Sequence, residues 1–181
     1  LSRCQRVVLF VHRMHERKGC HFLPEIIQGA QEKLPDTGFL IAGDGPDFDL
    51  VRSKINSPQV HFFGWVPNQD ILSLYAVSDL FIMPSLEEGF PRVLLECMAS
   101  GVPFVSSDVG GIRDITTESQ REFLSPPGDV PLFMSHMIQL LQNDAKREQL
   151  VREGLEKVKE YGMEKVAEEF VQLFRINGDS H

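Results

Sequence analysis

Two glutamates, Glu88 and Glu96, stand on either side of seven intervening residues in a stretch that runs from a Gly/Pro loop into a helix. Pro91 suits the first helical position, because the N–H that it lacks has no partner there. Glu96 would then lie about 7.5 Å further along the helix axis. Two carboxylates at that separation could bind two hydroxyl-rich groups of one elongated ligand. The simpler alternative is a solvated acidic loop beside a glutamate on a helix surface.

A basic segment, residues 12–19, directly follows the first apolar run and contains Arg13, Arg17 and Lys18. An arginine offers a forked donor and a lysine a point charge, so these side chains could neutralise a pyrophosphate. A solvated basic loop is the commoner role of such a segment. Taken together, however, the two segments supply ligands for both phosphate and hydroxyl groups.

Short apolar runs alternate with helical stretches along residues 7–124, and this alternation predicts right-handed βαβ units in a doubly wound parallel sheet. The first four runs are almost continuously apolar, which predicts strands covered on both faces. The predicted strands are Val7–Val11, Phe39–Ala42, Val60–Phe63, Leu80–Met83, Phe104–Ser106 and Glu122–Leu124. The predicted helices are His21–Leu34, Phe48–Asn56, Gln69–Ser78, Pro91–Ser100 and a short turn near Ile112–Ile115. Ligands of such sheets bind outside the carboxyl ends of the strands, where both charged segments lie.

The pattern becomes purely helical after residues 126–128. Asp144 is the predicted cap of the second helix in this part. The last helix is predicted to carry an apolar stripe formed by Met163, Val166, Phe170 and Phe174. These helices would be additions to the end of the sheet domain.

The net charge of −8 argues against nucleic acid or an anionic membrane as the main partner. The 3 cysteines show no metal-type spacing and predict free thiols in a reducing cytoplasm. No run approaches the roughly 18 apolar residues of a membrane helix, and no signal peptide is recognisable. Leu1 comes directly before a strand, so the chain has the character of a piece of a longer protein.

Weaker motifs leave alternatives open. The segment Gly43–Pro46 resembles half of a dinucleotide-binding loop, but Phe48 stands where a third glycine belongs, so a turn is the better interpretation. The N–H groups of Gly110–Gly111 could approach a phosphate or a sugar, or simply form a tight turn. Trp65 could stack on a base or pack internally, and His61 is predicted to be a packed strand residue.

The motifs in their order resemble the carboxyl-terminal, nucleotide-sugar-binding domain of a retaining GT-B glycosyltransferase of family 4. The resemblance runs from about residue 7 to residue 175. It rests on Arg13 and Lys18 in the basic loop, on Leu40-Ile-Ala-Gly-Asp-Gly-Pro46, Val60-His-Phe-Phe-Gly-Trp-Val66 and Ser78-Asp-Leu-Phe-Ile-Met-Pro84, on Glu88-Gly-Phe-Pro-Arg-Val-Leu-Leu-Glu96, and on Ser107-Asp-Val-Gly-Gly-Ile112 and Pro126-Pro-Gly-Asp129.

The resemblance implies a role for each matching residue. Arg13 and Lys18 would hold the pyrophosphate of the donor and stabilise the departing nucleotide, and Glu88 would face the donor sugar. Glu96 would bind the ribose hydroxyls. The remaining donor-binding positions would be Trp65 and Val66 beside the base, the backbone N–H groups of Gly89, Phe90 and Arg92, and the pair Gly110 and Gly111. No metal or other cofactor would be needed, because cations and helix N-termini take up the charge.

The sequence departs from the family pattern at three places. His12 replaces the usual glycine before Arg13, which would crowd the phosphate loop. Pro91 replaces a common glycine, so position 91 has no N–H to offer a ligand. The segment Arg121–Ser125 is a loose version of the entry to the sixth strand.

The resemblance also implies a wider architecture. Residues 1–181 would be a single Rossmann-like domain, one half of a GT-B fold, with the amino-terminal acceptor domain absent. The fragment alone would be inactive, the protein would be cytoplasmic, and any peripheral membrane contact would come through the missing domain. UDP-, GDP- and ADP-type donors, and capsule, exopolysaccharide, lipid and trehalose-type products, are all compatible. The alternatives are a GT-B-type epimerase or phosphorylase, and a non-catalytic nucleotide-binding module.

Overall fold

The computed structural model describes residues 4–162, which build a parallel sheet of six strands with helices on both faces. The strand order is β3-β2-β1-β4-β5-β6, and every neighbouring pair is parallel. The strands are β1 (Arg6–Val11), β2 (Thr37–Ala42), β3 (Val60–Gly64), β4 (Leu80–Met83), β5 (Phe104–Ser107) and β6 (Leu124–Ser125). The chain order reverses between β1 and β4, so the ligand crevice of such a sheet is expected at the loops that follow these two strands.

Helices cover both faces of the sheet and divide its apolar side chains into two cores. One core contains Val8 and Phe10 of β1, and the other contains Leu9, as the alternation of side chains along a strand requires. The helices are α1 (Leu23–Lys33), α2 (Phe48–Ser53), α3 (Asn68–Ala76), α4 (Arg92–Ala99), α5 (Ile112–Ile115), α6 (Glu118–Arg121), α7 (Val130–Gln142) and α8 (Asp144–Lys157). The doubly wound α/β fold with additional carboxyl-terminal helices is therefore confirmed.

Most predicted elements lie within a few residues of their observed bounds, but the segment around residues 116–125 differs. The last strand is Leu124–Ser125, not Glu122–Leu124, and the short helix α6 before it was missed. Thr117 caps α6 by accepting the N–H of Gln120, so its Thr-X-X-Gln pattern was a readable helix start. The cap of α8 is Asn143, whose side chain accepts from Lys146, and Asp144 is the first helical residue.

The prediction that β3 is covered on both faces is wrong. Its residues alternate between half-buried and exposed, because β3 lies at the edge of the sheet. Phe62 packs edge-to-face against Phe48 of α2, with 5.9 Å between ring centroids. His61 and Phe63 point to the other face and are exposed, so His61 is not a packed residue. The predicted stripe of Met163, Val166, Phe170 and Phe174 lies outside the described residues.

The carboxyl end of α7 is capped by a buried arginine. Nη1 of Arg147 donates to the carbonyls of Leu140 and Leu141, at 2.5 and 2.9 Å, and Nη2 pairs with Asp144. We expect Arg147→Met to lower the free energy of unfolding by about 2–4 kcal/mol, because buried acceptors lose a charged donor. The matched change Arg152→Met alters an exposed arginine of the same helix and should stay within about 0.5 kcal/mol. Urea unfolding measures both, and equal effects would contradict the capping role.

Candidate active site

The loop after β1 is held by backbone hydrogen bonds to the end of β2 and to the loop that follows it. The N–H groups of His12 and Met14 donate to the carbonyls of Ala42 and Asp44, at 3.1 and 3.0 Å. A Cβ atom on Gly43 would lie only 1.8 Å from the carbonyl oxygen of His12, so the backbones of the two loops are in direct contact and leave no room for a side chain. The segment Gly43–Pro46 opens a turn, as the sequence predicted, and this turn also supports the basic loop, which the sequence did not predict.

The loop after β4 is held against the same basic loop. The N–H groups of Leu86 and Glu87 both donate to the carbonyl of Arg17, at 2.8 and 3.3 Å. Gly19 adopts a left-handed φ of 68°, and a Cβ there would lie 1.8 Å from the carbonyl oxygen of Pro84. The two loops therefore form one hydrogen-bonded unit at the point where the strand order reverses.

Glu88 lies at the centre of this unit, and its side chain is only 7% exposed. Its Oε1 accepts from the Ser85 hydroxyl at 2.8 Å and faces Nε2 of His12 at 2.9 Å. Its Oε2 accepts from Nζ of Lys18 at 2.9 Å. The fold therefore brings together Lys18 and Glu88, two predicted site residues, and pairs them with each other.

The surroundings keep Glu88 ionised. Burial alone would raise its pKa, but the hydrogen bonds from His12, Lys18 and Ser85 outweigh burial and lower the pKa to about 2. A folded-state pKa below the ordinary value means that the ionised group stabilises the fold above about pH 4.5, and that this contribution is lost as the pH falls towards 2. At neutral pH Glu88 is therefore a hydrogen-bond acceptor with a fixed negative charge, and it has no proton to donate.

Glu96 has a different environment on α4. Burial raises the pKa of its half-buried carboxyl, and the charge of Arg92 opposes this rise. None of residues 4–162 donates a hydrogen bond to its carboxylate. An acceptor that is partly desolvated and lacks a protein donor is suited to bind hydroxyl groups of a ligand.

The backbone of the Glu88 loop presents three consecutive N–H groups, those of Glu88, Gly89 and Phe90, for which the described residues offer no acceptor. The N–H of Arg92, in contrast, donates to the carbonyl of Phe90 at 3.0 Å. Pro91 is the residue before α4 and not its first residue, with φ −82° and ψ 75°, which places it in an inverse γ-turn. Of the amides expected to face a ligand, those of Gly89 and Phe90 thus remain available.

The two glycines after β5 pack against the Glu88 loop. Gly110 has a left-handed φ of 57°, and a Cβ there would lie 2.0 Å from the carbonyl oxygen of Glu88. The N–H of Gly111 donates to the carbonyl of Gly89 at 3.1 Å, so it is already engaged. In this structure the pair acts as a support of the loop.

Four further predicted residues lie on this rim of the sheet. Trp65, directly after β3, is 74% exposed, and Val66 beside it is half-buried. Phe90 is 55% exposed, with its ring centroid 6.2 Å from that of Tyr161. Arg13 is exposed, and its guanidinium forms no ion pair with any residue of the described range.

Sequence reasoning missed two residues of the site. Ser85 was not singled out, although a serine three residues before a loop glutamate is well placed to donate to it. His12 was regarded as crowding the loop, whereas its ring lies against Glu88. Within the described range, no group of His, Cys, Asp and Glu residues could hold a metal ion. No helix of residues 4–162 combines the length and the apolar character that crossing a membrane requires.

The fold is that of one Rossmann-like half of a GT-B glycosyltransferase. The family model of glycosyl transferases group 1 matches residues 5–143. The chain belongs to this family, as its motifs predicted.

Individual relatives agree with this assignment. The chain is 31% identical over 176 residues to the phosphatidyl-myo-inositol mannosyltransferase of Mycobacterium leprae. The aligned region covers 95% of this chain and 47% of the relative. The chain thus spans about half the length, or less, of the curated relatives it matches.

Solved structures share the architecture. Sucrose-phosphate synthase from Thermosynechococcus elongatus aligns with a TM-score of 0.76 and 25% identity, over 97% of this chain and 46% of the other. Anabaena HepE, solved in complex with UDP and glucose, aligns with a TM-score of 0.77 and 21% identity, over 93% of this chain and 48% of the other.

Proposed function

We propose that this chain is the donor-binding domain of a retaining glycosyltransferase, which transfers a sugar from a nucleotide diphosphate to an acceptor. The observation that carries the proposal is the meeting of Lys18 and Glu88 at the strand-order reversal, with 2.9 Å between Nζ and Oε2. One residue is a ligand for phosphate and the other for sugar hydroxyls, and a nucleotide sugar contains both groups side by side. The complex of HepE with UDP and glucose supports this class of ligand.

The diphosphate would bind between the two loops. The guanidinium of Arg13, which has no ion-pair partner among residues 4–162, supplies a forked donor. The N–H groups of Gly89 and Phe90, which have no acceptor among residues 4–162, would also bind the diphosphate, because such amides ahead of a helix attract anions. Both loops are held by backbone hydrogen bonds, so these groups are positioned before the ligand arrives.

Lys18 would pass from Glu88 to the phosphate when the donor binds. Its Nζ is paired with Oε2 of Glu88, and a phosphate that takes this ammonium group leaves that oxygen with no hydrogen-bond donor among residues 4–162. That oxygen can then accept from a sugar hydroxyl. The phosphate and sugar sites are thereby linked, because occupation of the first completes the second.

The nucleoside would extend towards α4 and the end of β3. The Glu96 carboxylate, which has no partner among residues 4–162, suits the two ribose hydroxyls, and exposed Trp65 and neighbouring Val66 would border the base. Uridine, guanosine and adenosine diphosphates all remain candidates. The acceptor would bind to a second domain, because the chain spans only 47% of its mannosyltransferase relative, and this domain alone would not transfer a sugar.

Donor binding is expected to need no divalent metal, because Arg13 and Lys18 supply the positive charge. Calorimetric titration with UDP, GDP and ADP should give the same affinity with and without EDTA for the nucleotide that binds. Lys18→Met should weaken this affinity by about 10-fold or more, since a charged hydrogen bond is lost. Lys54→Met, at an exposed position after α2, is the matched control and should have no effect. Strict dependence on magnesium or manganese would contradict the metal-free proposal.

A further inference from the structure

We propose that His12 is a positioning residue, which orients the Glu88 carboxylate for the donor sugar through a hydrogen bond from Nε2. The inference rests on the proposed function, because Glu88 is the group through which His12 would act. It assigns a task to a side chain at the position where the resembling family usually has glycine.

The hydrogen bonds of His12 fix which ring nitrogen carries the proton. The N–H of Arg13 donates to Nδ1 at 2.9 Å, so Nδ1 must be the nitrogen without hydrogen. In the neutral ring the hydrogen then resides on Nε2, which lies 2.9 Å from Oε1 of Glu88. The imidazole therefore donates to the carboxylate, and the backbone beside it selects the form that can donate.

The carboxylate partners divide into a fixed set and an exchangeable one. Oε1 is held by Ser85, which is fully buried, and by His12, whose own N–H is tied to β2. Among residues 4–162, Oε2 accepts a hydrogen bond only from Lys18, whose ammonium group the phosphate also requires. When Lys18 turns to the phosphate, His12 and Ser85 keep Oε1 in place and leave Oε2 free to face the sugar.

A glycine at position 12 would remove this arrangement in two ways. Oε1 of Glu88 would keep only the Ser85 hydroxyl, and the N–H of Arg13 would lose its acceptor. The charged residues next to the ring are Glu88, through Nε2, and Arg13, the next residue in the chain, and Lys18 holds the other oxygen of the same carboxylate. A role in packing alone would affect stability, whereas positioning should affect turnover more than donor affinity.

Two substitutions in the full-length protein separate these roles. His12→Phe keeps a ring but has no donor, and is expected to lower kcat by about 10–100-fold while the donor KM changes less than about threefold. His12→Gln places an amide N–H at similar reach and should restore kcat to within about fivefold of wild type. His61→Phe, the same change at an exposed position on β3, is the control. Thermal unfolding of each variant detects loss of fold.

A double substitution tests whether His12 acts through Glu88. In a Glu88→Gln background, His12→Phe should lower kcat by less than about threefold, because both changes disable one unit. Equal kcat losses for His12→Phe and His12→Gln would overturn the inference and leave the proposed function intact. The same holds if the fold-losses in kcat of His12→Phe and Glu88→Gln simply multiply in the double variant.

A spectroscopic readout keeps the inference testable without activity. In ¹⁵N-histidine-labelled full-length protein, the signal of His12, assigned by its absence from His12→Gln, should be that of the Nε2–H form. It should shift in Glu88→Gln. A ring protonated on Nδ1 alone would overturn the inference, even if the wild type turned over every nucleotide sugar supplied. If the wild type gives the expected spectrum but turns over none of the nucleotide sugars, only the proposed function is contradicted.

Discussion

Glu88→Gln in the full-length protein is expected to lower kcat by about 10–100-fold, while affinity for the nucleoside diphosphate changes less than about threefold. The substitution removes the fixed charge that we propose faces the sugar and leaves the proposed phosphate ligands in place. It also frees Lys18 from its ion pair, which favours the phosphate and offsets part of any loss in binding. Steady-state kinetics and calorimetry on the same preparations measure the two quantities.

The matched change Glu96→Gln should give the opposite division. Its carboxylate has no hydrogen-bond donor among residues 4–162, so its removal disturbs little of the fold. It should nevertheless weaken nucleoside diphosphate binding by about 10-fold or more, because the ribose loses a charged acceptor. If the two variants affect nucleotide affinity equally, the assignment of Glu88 to the sugar and Glu96 to the ribose is wrong.

Gly110→Ala is expected to lower the free energy of unfolding by at least about 3 kcal/mol and to abolish turnover. A left-handed φ of 57° would strain any residue other than glycine by about 1–2 kcal/mol. A Cβ would in addition lie 2.0 Å from the carbonyl oxygen of Glu88. The backbone of the Glu88 loop must shift to admit it, and the carboxylate shifts with the backbone.

Gly64→Ala is the control for the backbone strain alone. Its φ of 64° is nearly the same, but no atom lies within 4 Å of the added Cβ. It should therefore lower the free energy of unfolding by only about 1–2 kcal/mol. Chemical unfolding of both variants gives the difference, and equal losses would show that the contact with Glu88 relaxes without consequence.

The fold could be predicted because its signals are local. Continuous apolar runs such as Leu80–Met83 favour strands covered by helices on both faces, and their alternation with helical stretches favours a parallel sheet. The exposure of β3 could not be predicted, because whether a strand lies at an edge depends on strand order. Apolar residues such as Phe62 and Phe63 occur in edge strands and in central strands alike, so they do not show which kind β3 is.

The site could be predicted only to the level of its loops. Topology places Arg13, Lys18 and Glu88 at one rim of the sheet, and the roles that the family resemblance implies for them stay predictions. Lys18 and His12 both contact Glu88, but they are separated from it by 70 and 76 positions in the sequence. No local sequence pattern predicts contacts at such separations. For the same reason the engagement of the Gly111 amide by Gly89 was not foreseen.

Close backbone contacts at Gly19, Gly43 and Gly110 also determine how this domain can diverge in evolution or be redesigned. Each glycine joins one rim loop to the next, so an insertion or deletion in any of them would displace its neighbours. Under the proposed function, new donor specificity should therefore arise by exchange of exposed side chains, such as Trp65 and Phe90, with all loop lengths kept. A library that randomises those side chains and leaves the glycines untouched should retain far more folded members than one that varies loop length.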